Sequence, residues 1–135
     1  MNNKYTYKCT ECNKQGTTNK PNKKTCSSQC LKDKYKTSNC IEGVSRGSAG
    51  AMAEMMVCAD LLKNDYAVFR AISPSCFCDV IAIKNNEMKQ FEVRTAYERP
   101  SGKLSYVKNL SHKNGTPTHF ALYIASKNRV DYVKI

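Results

Sequence analysis

Four cysteines constrain the first third of this chain more than anything else in it. Two residues separate Cys9 from Cys12, three separate Cys26 from Cys30, and thirteen lie between the pairs. Few aliphatic residues surround them, so residues 1–46 cannot bury a hydrophobic core of any size. Two close cysteine pairs joined by a short loop suit a tetrahedral four-cysteine zinc site. Zinc binding would contribute the folding free energy that a core does not. Two disulfides, or free thiols, are the alternative. Disulfide frameworks belong to secreted chains, and the N-terminus lacks the apolar segment of a signal peptide. No 18-residue apolar run occurs anywhere. An intracellular protein with no membrane span is therefore expected.

Charge bears on the partner. The 135 residues carry a net charge of +11, with a pI near 9.3. Such a surplus points to a polyanion, most simply nucleic acid. Residues 1–46 hold ten Lys/Arg against three Asp/Glu, and residues 47–135 hold twelve against eight. The aliphatic residues concentrate in the second part, and a boundary is expected near "CIEGVSRGS", giving a finger over 1–46 and a second domain over 47–135. "CSSQCLKDKYK" reads as a zinc knuckle running into a short basic helix, as in small treble-clef fingers. Lys32, Lys34 and Lys36 would then form a phosphate-contacting edge, or simply a solvated face. Cys40 has no evident partner.

In the second part, residues 48–65 read as a helix with Ser48 as N-cap and Asn64 as its stop. Met52, Met55, Met56, Ala59 and Leu62 form an apolar stripe at helical spacing, expected to be core. Glu54 shares a face with Gly50 and Ala51, where another element can approach closely. Residues 66–72 read as a strand, and 78–94 as a hairpin turning at Asn85-Asn86, since Asn tolerates positive φ. That turn sets Lys84 opposite Glu87 and, carried down the ladder, Asp79 opposite Glu92. Gln90, Glu92 and Arg94 share one face. Opposed carboxylates repel, and a divalent cation between them would relieve the repulsion. A solvated hairpin face carrying a Glu–Arg pair is the other reading. Cys76 and Cys78 are expected buried or half-buried on the strand face opposite Asp79, with Cys58 in the core. "ERPSG" reads as a loop, "LSYVKN" as a weak strand, and "THFALYIAS" with "RVDYVKI" as a final hairpin across Lys127-Asn128. His112 sits in no motif, and His119 opens an apolar strand as a structural residue.

The stretches "RGSAGAMAEMMVCADLLKNDYAVFRAISPSCFCDVIAI", "FEVRTA" and "FALYIASKNRVDYVKI" together present Glu on a helix, Asp on a strand, and Glu-x-basic on the next strand. In that order they resemble the PD-(D/E)XK nuclease superfamily, in particular the group I intron-type homing endonucleases and then the archaeal Holliday-junction resolvases. The resemblance covers residues 47–135. It implies an α/β, restriction-endonuclease-like core, a helix on a mixed β-sheet, preceded by the small zinc-binding domain. It also implies that Asp79 and Glu92 hold Mg²⁺ against a scissile phosphate, that Glu54 is the accessory acid, and that Arg94 stands where the motif has Lys. Two departures are visible. Arg cannot give up its proton in a protein, so Arg94 would serve as a fixed cation. No proline immediately precedes Asp79.

The function expected from the resemblance is a Mg²⁺-dependent endonuclease acting on double-stranded or branched DNA, gripping it through a Zn²⁺ finger. Cutting both strands calls for a homodimer or a higher homo-oligomer. The competing reading is a catalytically inactive, nuclease-like DNA-binding adaptor, for which Arg94 speaks. An RNA-binding zinc protein fits less well, since the basic half offers only Tyr5, Tyr7 and Tyr35 as stacking platforms.

Overall fold

A computed structural model describes residues 4–35, 41, 43–110 and 114–135. Lys36, Cys40 and His112 lie outside the described residues, as do the side chains of Lys32 and Lys34. The chain divides into two compact units: Met1–Thr37 with Glu98–Ser105, and Ser38–Tyr97 with Tyr106–Ile135. The first unit therefore includes an eight-residue stretch from late in the chain.

The first unit opens with an antiparallel hairpin, β1 (Tyr5–Lys8) and β2 (Gln15–Thr18), with Tyr5 opposite Thr18 and Lys8 opposite Gln15. The connection between them carries Cys9 and Cys12. Asn13 turns the chain there at φ 62°, a left-handed conformation that Asn tolerates. Helix α1 (Ser28–Tyr35) begins two residues after Cys26, so Cys30 falls in its first turn. The hairpin was not legible in the sequence, whereas a short helix running on from the second cysteine pair was, although it starts earlier and takes in Cys30. Among the described residues of this unit, the buried side chains are Cys9, Glu11, Thr25 and Cys30, with no aliphatic residue among them.

The second unit is built on helix α2 (Arg46–Lys63) and a five-stranded mixed sheet. Ser45, rather than Ser48, is the N-cap. Its side chain accepts a hydrogen bond from the Ser48 N–H, and Asn64 closes the C-terminus as expected. The sheet order is β3 (Ala67–Arg70), β4 (Val80–Lys84), β5 (Glu87–Thr95), β8 (His119–Ile124) and β9 (Arg129–Lys134), and only the β5–β8 pair is parallel. Two-residue strands β6 (Tyr97–Glu98) and β7 (Leu104–Ser105) pair separately.

The β4–β5 hairpin has the register expected from its turn: Asn85 and Asn86 both take positive φ, at 52° and 62°, and Lys84 lies opposite Glu87. Asn128 likewise carries the last turn at φ 46°. Phe91 and Val93 of β5 point toward α2, joined by Val80, Ala82, Ala121 and Tyr123 from neighbouring strands.

The helix meets this surface mainly with a different stripe from the expected one; of the expected stripe, Met56 packs partly buried against the core. Ala49, Ala53, Val57 and Leu61 are buried, whereas Met52, Met55 and Leu62 are exposed, Met55 by 63%. Both stripes have helical spacing. The sheet takes the one with two alanines, because small side chains let a helix axis come close to a flat layer that already carries Phe91 and Val80. Among the described residues, no helix is long and apolar enough to cross a membrane.

Candidate functional site

The four cysteines meet. The Sγ atoms of Cys9, Cys12, Cys26 and Cys30 all lie within 4.8 Å of one another, with Cys12–Cys26 at 3.4 Å and Cys26–Cys30 at 3.6 Å. A tetrahedron with Zn–S near 2.3 Å has sulfurs about 3.8 Å apart, so this cluster has the size and donor type for such a metal. The β1–β2 connection brings the first pair and the start of α1 brings the second. Burial pushes the Cys9 thiol up, but backbone donors from Cys12, Glu11 and Cys26 outweigh it and bring it down to about 6. Cys12 and Cys30 go the other way, Cys30 up to about 12, where the Ser27 hydrogen bond is outweighed by burial and the neighbouring sulfurs; metal binding by all four would release protons.

Inside the first knuckle sits Glu11, fully buried. Its Oε1 accepts from Thr10 Oγ1 at 3.0 Å and from Arg99 Nη1 at 3.4 Å. Arg99 also donates to Ser105 Oγ at 3.3 Å. The second Glu11 oxygen finds no hydrogen-bond partner among the described residues. Residues 98–105 thus reach the knuckle through an ion pair that the spacing of the cysteines does not announce.

The acidic site lies in the second unit. Asp79 sits one residue before β4. Its N–H donates to the Phe91 carbonyl at 2.9 Å, and its Oδ2 accepts from the Val93 N–H at 2.8 Å. These two bonds straddle Glu92, so Asp79 and Glu92 stand side by side on neighbouring strands. Burial raises the Asp79 carboxyl above its usual range. The Val93 N–H pulls it back, the charges of Glu92 and Glu54 raise it further, and Arg94 offsets them. Glu92 is nearly inaccessible and forms an ion pair with Arg94. Arg94 also donates to the carbonyls of Val93 at 3.1 Å and Asn109 at 3.4 Å.

Glu54 comes in from α2 and pairs with Arg70 at the end of β3. Arg70 also feels Asp79, and the Glu54 hydrogen bond holds its guanidinium more firmly protonated than usual. A cavity of about 190 Å³ is lined by Glu54 and Asp79 together with Ser73, Cys76 and Cys78. The structure thus brings Asp79 and Glu92 together with Arg94, and sets Glu54 across a small cavity from Asp79. Each of the two outer acids is matched by its own arginine. The carboxylates do not converge as the cysteines do: among the described residues, the four cysteines alone form a group of three or more metal-ligating residues.

Arg70 escaped the sequence reading, because nothing in "YAVFRAI" distinguishes it until the β3–β4 register turns it toward α2. Cys78 is buried as expected, but Cys76 is not, and neither lies on a strand face. The strand starts only at Val80, so both lie in the preceding loop, with Cys78 buried and Cys76 exposed. Burial raises the Cys78 thiol. Cys58 is half-buried beside the core rather than inside it. His119 is half-buried at the start of β8, its Nδ1 2.8 Å from the Thr118 hydroxyl.

No protein-family model matches the chain, and no curated protein matches it. Among solved structures, a bacterial homing endonuclease, I-Ssp6803I, matches with a TM-score of 0.57 at 13% identity. The match covers 67% of this chain and 66% of the neighbour's, so just under two thirds of that protein's length is represented. In fold, the chain is a mixed α/β protein with a four-cysteine cluster, similar to a bacterial homing endonuclease.

Proposed function

We propose that this protein is a divalent-cation-dependent DNA endonuclease of PD-(D/E)XK type that grips DNA through a zinc finger. The observation that carries the reading is the placement of Asp79 beside Glu92, two hydrogen bonds fixing one acid across from the other, with Glu54 facing Asp79 over a small cavity. Its support from outside the chain is the likeness in fold to a homing endonuclease.

In this reading Asp79 and Glu92 hold Mg²⁺, with Glu54 as the accessory acid. The oxygen donors, and the charge that Glu92 and Glu54 add at Asp79, fit a hard cation. A bound Mg²⁺ would lower the pKa of a coordinated water and offset phosphate charge. The chain's own contribution is positional. Arg94 releases Glu92 to the cation and turns its fork to a phosphate oxygen, stabilising the charge that develops in the transition state. Asp79 stays aimed by the Val93 N–H. Lys32, Lys34 and Lys36 give the finger its phosphate contacts, and residues 1–46 and 47–135 divide the work between grip and chemistry. Cleavage of both strands uses two copies of the chain, as a homodimer or larger assembly, inside the cell.

The test is single-turnover cleavage of linear, supercoiled and four-way-junction DNA in Mg²⁺, with Asp79→Ala as control. Wild type should cut and Asp79→Ala should not. Arg94→Ala should lose roughly 100-fold, the scale of one transition-state charge donor, and Arg94→Lys should be no faster than wild type. Affinity should fall steeply with salt. Neutralising the three lysines should flatten the slope by about one unit per lost contact.

A second reading, an inactive nuclease-like DNA-binding adaptor, is favoured by one observation: Arg94, in place of a titratable Lys, is bound to the acid a metal would need. Inert wild type alongside an active Arg94→Lys variant would establish it.

A further inference from the structure

At the far end of β4 from Asp79, about 16 Å along the strand at 3.3 Å per residue, lies a second cavity, of about 510 Å³. It opens where the sheet runs on past the C-terminus of α2. Lys84, Lys89, His119 and Lys134 line it together with Tyr66 and Tyr132, and no carboxylate lines it among the described residues. The register explains the gathering. His119 lies opposite both Phe91 on β5 and Lys134 on β9, so it shares the helix-side face with Lys134 and, two residues before Phe91, with Lys89. A sheet face that holds Val80, Phe91 and Ala121 under the helix thus continues into three ammonium groups and an imidazole beyond it.

These charges are poorly compensated. Lys84 donates to the last helical carbonyl region at Asn64 O, 2.7 Å away. Lys89 reaches the Tyr66 hydroxyl only at 3.4 Å and an exposed Glu87 oxygen only at 3.9 Å. Lys134 has no acid partner among the described residues. Burial lowers the His119 pKa, and Lys89 and Lys134 lower it further. The exposed Glu87 partly offsets this at His119, and Asp60 is engaged by the Tyr132 hydroxyl at 2.6 Å. The Tyr66 ring already carries Lys84 and Lys89 near its face, at 5.5 and 5.7 Å from its centroid. A polar, cation-lined cavity with aromatic walls and no internal acid fits an anion that also carries an apolar or aromatic body. Its volume falls within the range of small-molecule sites, roughly 300–1,000 Å³.

We propose that this cavity binds a single nucleotide through its phosphate, with Lys89, Lys134 and His119 around the phosphate and Lys84 at the edge. The nucleotide has two sources, a free nucleoside monophosphate or the phosphorylated end of a DNA strand, and one chemistry. The proposal stands apart from the nuclease reading, since none of these residues belongs to the acidic site.

The experiment is a calorimetric titration of the full-length zinc-loaded protein with deoxyadenosine 5′-monophosphate, deoxyadenosine, and a 5′-phosphorylated trinucleotide, repeated with Lys89→Gln/Lys134→Gln. Saturable binding of the monophosphate, at least tenfold tighter than deoxyadenosine and weakened at least tenfold by the double substitution, is the expected result. A trinucleotide that binds tighter than the monophosphate identifies a strand end as the source, and equal or weaker binding identifies the free nucleotide. In wild type, the His119 imidazole resonance should shift on adding either phosphate ligand, a readout that does not depend on a variant folding. A silent His119 signal overturns the proposal, as does unaltered affinity in a folded double variant.

Discussion

Among the described residues of the four-cysteine unit, the buried side chains are two cysteines, a glutamate and a threonine. In the sheet unit they are Val57, Val80, Phe91, Leu122, Ile124 and their neighbours. One region has donor atoms where the other has hydrocarbon. The first can gain its stability from coordination, where one ion replaces a core. The second gains it from apolar area removed from water, spread over many contacts. The difference shows in how each places its candidate site. A metal cluster is drawn together by local spacing, so its ligands announce themselves in sequence. The acidic site sits at the margin of a core and depends on strand register for its geometry.

The sharpest way to break this comparison is to deny the cysteine cluster a metal. Chelation, or Cys9→Ser with Cys26→Ser, should abolish bound zinc. It should also cost the first unit on the order of 10 kcal/mol, the scale of structural zinc in small fingers. Amide exchange should then quicken in β1, β2 and α1 while β4, β5 and β8 keep their protection. Equal loss in both units would mean that they share one stability. The converse is Phe91→Ala, which should cost the sheet unit about 3–5 kcal/mol in denaturant unfolding and leave zinc content unchanged. Zinc loss in that variant would contradict the separation.

A smaller effect concerns Asp79. Its folded pKa lies above the unfolded value, so the charged form is the one the fold disfavours. The penalty is absent below the unfolded carboxyl range, near 4. It grows as pH rises through the raised folded value and is complete above it. Asp79→Asn should therefore raise the melting temperature modestly at pH 7.5, and the gain should vanish toward pH 3.5. Saturating Mg²⁺ should raise the melting temperature of wild type at pH 7.5 and leave Asp79→Asn unmoved. A variant that melts lower than wild type at pH 7.5 would show that the Val93 hydrogen bond outweighs the repulsion.

How far the sequence reaches follows the same division. The cysteine spacing and the Asn85-Asn86 turn each specify geometry within a few residues, and both were legible. The opposition of Asp79 and Glu92 came with the turn, since register propagates along a ladder. The buried face of α2 was not legible. Its two apolar stripes are equally periodic, and only the sheet's need for close approach selects Ala49 and Ala53 over Met52 and Met55. Arg70 depends on how β3 packs against α2, and the cavity around His119 on pairings between strands far apart in sequence, the parallel β5–β8 contact above all, and no local pattern marks either. The Arg99–Glu11 pair was hidden for the same reason, at a separation of 88 residues.

That last pair has a consequence for how the protein is made. Chains emerge from the ribosome at roughly 5–20 residues per second, so Glu11 is exposed to the cell roughly 4–18 s before Arg99 exists to meet it. A finger that closes over its metal at once would enclose a carboxylate with no counter-charge, a costly arrangement in a dry site. The nascent knuckle is therefore best served by leaving Glu11 in water until Arg99 arrives. The first cysteine knuckle is completed by a stretch of chain made well after it.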